Sequence, residues 1–88
     1  MGRLENKVAI ITGAASGMGL AAIHLFIKEG AKVVATDIAF EQLQEATATI
    51  EGELLCVELD VTSGEQWKTV MNKGKETFGK IDILVNNA

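Results

Sequence analysis

The chain has 88 residues, of which 48% are apolar and 23% charged, a globular composition with room for one small core and not for two domains. Twelve acidic against eight basic residues give a net charge of −4 without a basic run, which argues against nucleic-acid and anionic-membrane partners. The N-terminus lacks a signal-peptide pattern, no apolar run approaches a membrane span, and Cys56 is the single cysteine, so we expect a cytoplasmic protein.

Strand and helix patterns alternate along the chain. Short apolar runs predict four strands, at residues 8–11, 33–36, 54–57 and 81–85. Apolar residues at helical spacing predict three helices between them, at about residues 17–29, at about residues 40–50, and from after Ser63 to Gly79. Strands that are apolar throughout and joined by helices are typical of a parallel sheet with helices on both faces. We therefore predict an α/β fold whose sheet is incomplete at the edge of the fourth strand.

A glycine-rich segment joins the first predicted strand to the first helix. Ligands of such folds lie beyond the carboxyl ends of the strands, where a helix N-terminus offers N–H groups and a positive dipole end to a pyrophosphate. Gly13 would allow the turn, Gly17 the close approach of backbone to phosphate, and Gly19 close packing. The segment predicts the dinucleotide loop of a Rossmann-type domain, with a flexible turn as the alternative. The predicted loop residues are Thr12, Gly13, Ser16, Gly17, Met18 and Gly19.

An aspartate at the end of the second strand strengthens this interpretation. Asp37 lies 24 residues after Gly13, close to the offset of about 20 residues at which a carboxylate accepts hydrogen bonds from the adenosine ribose hydroxyls. The same carboxylate would repel the 2′-phosphate of NADP, and its neighbours Ser16 and Ile38 supply no cation. The sequence therefore favours NAD. The alternative for Asp37 is an aspartate that caps the second helix.

These residues resemble the short-chain dehydrogenase/reductase family. Residues 12–19 are similar to the T-G-x-x-x-G-x-G loop of its commonest subtype, and residues 59–61 (Leu-Asp-Val) and 84–88 (Leu-Val-Asn-Asn-Ala) resemble two further family motifs. The match covers the whole chain but only the first part of the family pattern. We therefore interpret residues 1–88 as the N-terminal part of a single NAD-binding domain.

The resemblance implies a role for each motif. Asp60 and Val61 would contact the adenine edge, one through its side chain and the other through its backbone. Asn86 and Asn87 would help to fix the fourth strand to the Thr12 loop, although an Asn pair alone is also compatible with a polar strand end. By position, the family gives cofactor contacts to Met18, Gly19, Asp37, Ile38, Asp60, Val61, Asn87 and Ala88.

The residues that carry out the family's chemistry are not in this sequence. The family implies a catalytic serine and a Tyr-x-x-x-Lys helix after the Asn-Asn-Ala motif, and the chain contains no tyrosine, so we expect no catalytic residue here. No metal site is expected either, since a single His24 and a single Cys56 lack metal spacing. The parent protein is expected to be a homo-oligomer that transfers hydride between NAD and a small-molecule secondary alcohol or ketone. A stand-alone dinucleotide-binding module and a non-catalytic redox sensor or interaction protein stay open as alternatives.

Overall fold

A computed structural model describes residues 2–87. Its strands are β1 (Val8–Ile11), β2 (Lys32–Asp37), β3 (Leu54–Glu58) and β4 (Ile83–Val85). Its helices are α1 (Gly17–Lys28), α2 (Phe40–Thr47) and α3 (Gly64–Phe78). All strand pairs are parallel, and the strand order is β3-β2-β1-β4. The predicted Rossmann-type α/β fold is confirmed.

Side chains of the two central strands alternate between two apolar clusters. Ile11 and Val33 pack with α1 and α2 on one face of the sheet, whereas Ile10 and Val34 pack with α3 on the other. All four side chains are fully buried. Because helices cover both faces, each strand must be apolar on both sides, which is why these strands appear in the sequence as continuous apolar runs.

Helix α2 is shorter than predicted and ends at Thr47 instead of Ile50. The chain leaves the helix through tight turns, in which the Ile50 N–H donates to the Thr47 carbonyl at 3.0 Å. The turn places Ile50 against the same apolar cluster as Leu43. The helical spacing of Ile50 therefore reflects its contact with the core and not a helical conformation.

Strand β4 also starts later than predicted, at Ile83 instead of Ile81. Ile81 packs against the cluster under α3, and the Asp82 carboxylate accepts the Val8 N–H at 2.9 Å in place of a backbone partner. Leu84 pairs in register with the fully buried Ile10 but is itself 55% exposed. Within residues 2–87 no strand pairs with the outer side of β4, and none of the helices there has the length and apolar character to cross a bilayer.

The contact between Asp82 and Val8 predicts that the fold loses stability in acid. The Val8 N–H, assisted by the Lys80 ammonium 3.2 Å from Oδ2, holds the pKa of the Asp82 carboxyl below its ordinary value. The ionised carboxylate therefore stabilises the fold above the unfolded-state pKa of about 3.9, and this contribution is lost as pH falls through the lower folded-state pKa. We expect Asp82→Asn to flatten the loss of stability below about pH 4.

Urea unfolding at a series of pH values measures this effect. Glu51→Gln, which removes an exposed carboxylate outside the sheet, is the matched control and should leave the acid transition unchanged. An Asp82→Asn protein whose stability falls with acid as steeply as that of the unsubstituted protein would contradict the assignment.

Candidate cofactor site

The N-terminus of α1 lies at the carboxyl end of β1 and presents unpaired backbone donors. Ser16 is the N-cap residue, but its side chain makes no capping bond, and no acidic residue lies in the first turn. The first bond inside the helix runs from the Leu20 N–H to the Ser16 carbonyl at 3.4 Å. The N–H groups of residues 17–19 have no acceptor within the helix, so this end is open to an anion.

Two glycines of this loop are required for different geometric reasons. Gly17 has a φ of 59°, a left-handed conformation, and a Cβ there would meet no atom within 4 Å. Its missing side chain therefore keeps an open space in front of the helix N-terminus. Gly19 is buried, and a Cβ there would overlap the Gly13 carbonyl oxygen and lie 2.9 Å from the Ala14 Cα. Gly19 thus allows the first turn of α1 to pack directly on the loop backbone.

Thr12 joins the loop to the end of β4. Its side chain is fully buried, its hydroxyl donates to Asn86 Oδ1 at 2.9 Å, and the same oxygen accepts the Asn87 N–H at 2.9 Å. The Thr12 N–H donates to the Val85 carbonyl, also at 2.9 Å. The resemblance implied that the Asn pair fixes β4 to the Thr12 loop, and the structure contains the hydrogen bonds that do so.

Removal of the Thr12 hydroxyl should destabilise the fold. Thr12→Val keeps the shape of the side chain but leaves the Asn87 N–H without its acceptor and Asn86 Oδ1 without its donor. We expect a loss of about 1–2 kcal/mol in the free energy of unfolding, the lower part of the range for buried unpaired groups, because both asparagines are exposed and water can replace part of the lost bonding. Thr12→Ser retains the hydroxyl and should lose less. Urea denaturation compares the two, and equal losses would contradict this role.

Asp37 connects the end of β2 to the loop of α1. One carboxylate oxygen accepts the Ala15 N–H at 3.0 Å, and the other accepts the Ala39 N–H at 2.9 Å. The N-cap residue of α2 is Ala39, so Asp37 does not cap that helix as the alternative interpretation suggested. Each carboxylate oxygen has two acceptor positions, and one position on each is therefore left for a further donor.

A cleft of about 100 Å³ opens beside Asp37. Its walls come from the loop after β1 and from the chain that follows β2 and β3, and they consist of Gly13, Asp37, Ile38, Leu59, Asp60 and Val61. Five of these six residues were predicted as cofactor contacts. Leu59 was not, although it belongs to the motif at residues 59–61, and its 2% exposure shows that it forms the floor of the cleft.

The Asp60 carboxylate is oriented by the residue two positions later. The Thr62 hydroxyl and the Thr62 N–H both donate to Oδ1, at 2.7 and 2.9 Å. These two bonds, the hydroxyl more than the N–H, hold the pKa of the Asp60 carboxyl below its ordinary value. Asp60 thus presents a fixed negative charge at the margin of the cleft.

The other predicted contacts surround these two regions. Met18 in the first turn of α1 is 81% exposed, and Ile38 at the cleft margin is 64% exposed. Asn87 follows β4, and its N–H donates to the Thr12 hydroxyl oxygen. Ala88 lies outside the described residues. The structure thus brings the predicted residues that it describes to the carboxyl ends of the strands, as a helix N-terminus next to a small cleft.

Known proteins match this chain in sequence and in structure. The family model described as short chain dehydrogenase matches residues 7–88. The chain belongs to the short-chain dehydrogenase family. This chain is 48% identical over 89 residues to the 3-oxoacyl-(acyl-carrier-protein) reductase FabG of Thermotoga maritima. It is 49% identical over 86 residues to the galactitol 2-dehydrogenase of Agrobacterium fabrum. The crystal structure of a hydroxysteroid dehydrogenase from Escherichia coli matches it with a TM-score of 0.92 at 36% identity.

These matches span nearly all of this chain but a minor part of its relatives. Each covers 98% of the chain, against 36% of the Thermotoga reductase, 34% of the galactitol dehydrogenase and 38% of the Escherichia coli structure. The chain therefore spans about a third of the length of the curated relatives it matches. The family resemblance of its motifs is confirmed over this portion.

Proposed function

We propose that this chain is the NAD-binding part of an oxidoreductase that transfers hydride between its cofactor and a secondary alcohol or ketone. The observation that carries the proposal is that two features lie side by side at the carboxyl ends of the strands. The open N-terminus of α1 suits a pyrophosphate, the Asp37 cleft suits an adenosine, and the bond from the Ala15 N–H to Asp37 joins them at 3.0 Å. The relatives, which are by name a reductase and two dehydrogenases, support the reaction class.

The residues of this chain fit the parts of a dinucleotide in order. The pyrophosphate would accept N–H groups of residues 17–19, in the space that Gly17 leaves open. The ribose hydroxyls would donate to the free acceptor positions of Asp37, and the adenine would enter the cleft between Ile38 and Val61. When bound, the nicotinamide supplies the site that accepts or donates hydride, and Met18 would lie on that side of the loop.

The charges around the cleft favour NAD over NADP. A wide groove of about 700 Å³ continues from Ile38 along α2, and Glu41, Glu45 and Glu58 are in its lining. No lysine or arginine lines the cleft or this groove in residues 2–87. A 2′-phosphate on the adenosine ribose would meet these carboxylates in addition to Asp37 and find no cation to pair with.

The proposed chemistry needs residues that this chain does not supply. A tyrosine general acid or base is absent from the sequence, so the proposal assigns the proton transfer to the remainder of the parent protein. The contribution of residues 1–88 is to hold the cofactor in position. By itself this portion is expected to be inactive.

Calorimetric titration of the full-length protein tests the proposal. We expect NAD to bind about tenfold or more tightly than NADP, because of the carboxylates at the ribose. Reduction of NAD by a panel of secondary alcohols would then identify an enzyme. Failure to bind either dinucleotide would refute the cofactor site. Tight NAD binding without hydride transfer to any substrate of the panel would favour a binding module or sensor instead.

A further inference from the structure

The first turn of α3 makes an unusual capping arrangement. Ser63 is the N-cap residue and accepts the Gln66 N–H at 3.2 Å, which is half of a capping box. In the complete box the side chain three residues later bonds back to the N-cap N–H. Here the Ser63 N–H donates to the Asp60 carbonyl at 2.9 Å instead, and Gln66 Oε1 accepts the Asp60 N–H at 2.6 Å. The Gln66 side chain is therefore bonded to residues 60–61 of the cleft wall (the cleft segment) and not to its own helix cap.

The next residue of α3 holds the neighbouring position of the cleft. The Trp67 indole N–H donates to the Val61 carbonyl at 2.9 Å. The ring itself packs against the buried cluster that contains Leu59 and Val70, which fixes the direction of the indole N–H. Two consecutive side chains of one helix thus bond to the backbone of two consecutive cleft residues.

These bonds determine which polar groups of the cleft segment are left for a ligand. The Asp60 N–H and the Val61 carbonyl are used by α3, and Asp60 Oδ1 is used by Thr62. Asp60 Oδ2 and the Val61 N–H have no hydrogen-bond partner within residues 2–87. The remaining pair is one acceptor and one donor. Adenine offers the complementary pair, an amino-group donor beside a ring-nitrogen acceptor.

We infer that Gln66 and Trp67 are positioning residues that select adenine. They act through the backbone of Asp60 and Val61, and they touch neither the cofactor nor the reacting atoms. The inference rests on the proposed function, since it concerns the adenine end of the proposed NAD site. Its consequence is that base selectivity depends on side chains of α3 that lie behind the cleft wall.

Comparison of NAD with nicotinamide hypoxanthine dinucleotide tests this role. The analogue replaces the amino donor with an oxygen and the ring acceptor with an N–H, while its pyrophosphate and riboses are unchanged. We expect the full-length protein to bind the analogue about tenfold more weakly than NAD in calorimetric titration. Trp67→Phe removes the indole N–H and keeps an aromatic ring, and Gln66→Met removes the acceptor at nearly constant volume. Each substitution should lower the ratio of the Kd for the analogue to the Kd for NAD by about threefold.

Phe78→Leu provides the matched control for a purely structural effect. Phe78 packs on the same cluster at the far end of α3 and is remote in sequence from the cleft segment. Its substitution should lower the melting temperature and leave the ratio of Kd values unchanged. Unaltered ratios in Gln66→Met and Trp67→Phe, or an equal binding of both dinucleotides by the unsubstituted protein, would overturn this inference alone. A protein that binds neither dinucleotide would overturn the proposed function together with it.

Discussion

Replacement of Gly19 by alanine is expected to abolish NAD binding and to destabilise the fold. The added Cβ would overlap the Gly13 carbonyl oxygen and crowd the Ala14 Cα. Both are backbone atoms, so no side-chain rotation relieves the contact. The first turn of α1 must move away from the loop, and its N–H groups would then no longer converge on a pyrophosphate. Overpacking of this kind costs about 1–3 kcal/mol in the free energy of unfolding.

Gly64→Ala is the control for the Gly19 substitution. Gly64 also lies in the first turn of a helix, has no positive φ, and a Cβ there meets nothing within 4 Å. It should leave NAD affinity unchanged and stability unchanged or slightly raised, because alanine has the higher helix propensity. Calorimetric titration and urea unfolding of both variants measure the contrast. A Gly19→Ala protein that binds NAD as tightly as the unsubstituted protein would show that close packing on Gly13 is not needed.

Features that depend on local pattern were predictable from the sequence. The continuous apolar runs identified the parallel sheet, since both of its faces are covered and each strand must be apolar on both sides. Gly79 marked the end of α3, and it adopts the positive φ typical of a helix C-terminus. The glycine spacing after β1 and the offset of Asp37 located the loop and cleft, because their relation is set by one strand, one helix and one crossover.

Hydrogen bonds whose backbone partner is set by the tertiary structure were not predictable from the sequence. The Asp37 carboxylate could have capped α2, and only the folded chain shows that it accepts N–H groups from Ala15 and Ala39. A serine N-cap followed three residues later by glutamine is the pattern of a capping box, but the Gln66 side chain bonds to Asp60, because the turn before α3 already uses the Ser63 N–H. The side-chain type shows that an acceptor is available. Only the three-dimensional arrangement determines which donor reaches it.

Asp37→Ala is expected to weaken NAD binding strongly and NADP binding little. Two effects combine in this variant. Loss of the bond to the Ala15 N–H loosens the loop and weakens both dinucleotides alike, because they share the pyrophosphate. Loss of the carboxylate removes two charge-assisted bonds to the ribose hydroxyls of NAD, about 1.5–3 kcal/mol each at most, and removes the repulsion of the 2′-phosphate. We expect the affinity for NAD to fall about 10- to 100-fold.

The ratio of the Kd values for NADP and NAD separates these two effects. Loosening of the loop cancels in the ratio, whereas the ribose contacts and the repulsion do not, so the ratio should fall about tenfold or more in Asp37→Ala. Glu58→Gln removes an equal charge from the adjacent acidic groove, and no loop hydrogen bond of Glu58 is found in residues 2–87. That control should move the ratio much less, since Glu58 does not line the cleft. If Asp37→Ala weakens both dinucleotides by the same factor, the carboxylate serves the loop alone, and the selection of NAD must lie with other residues.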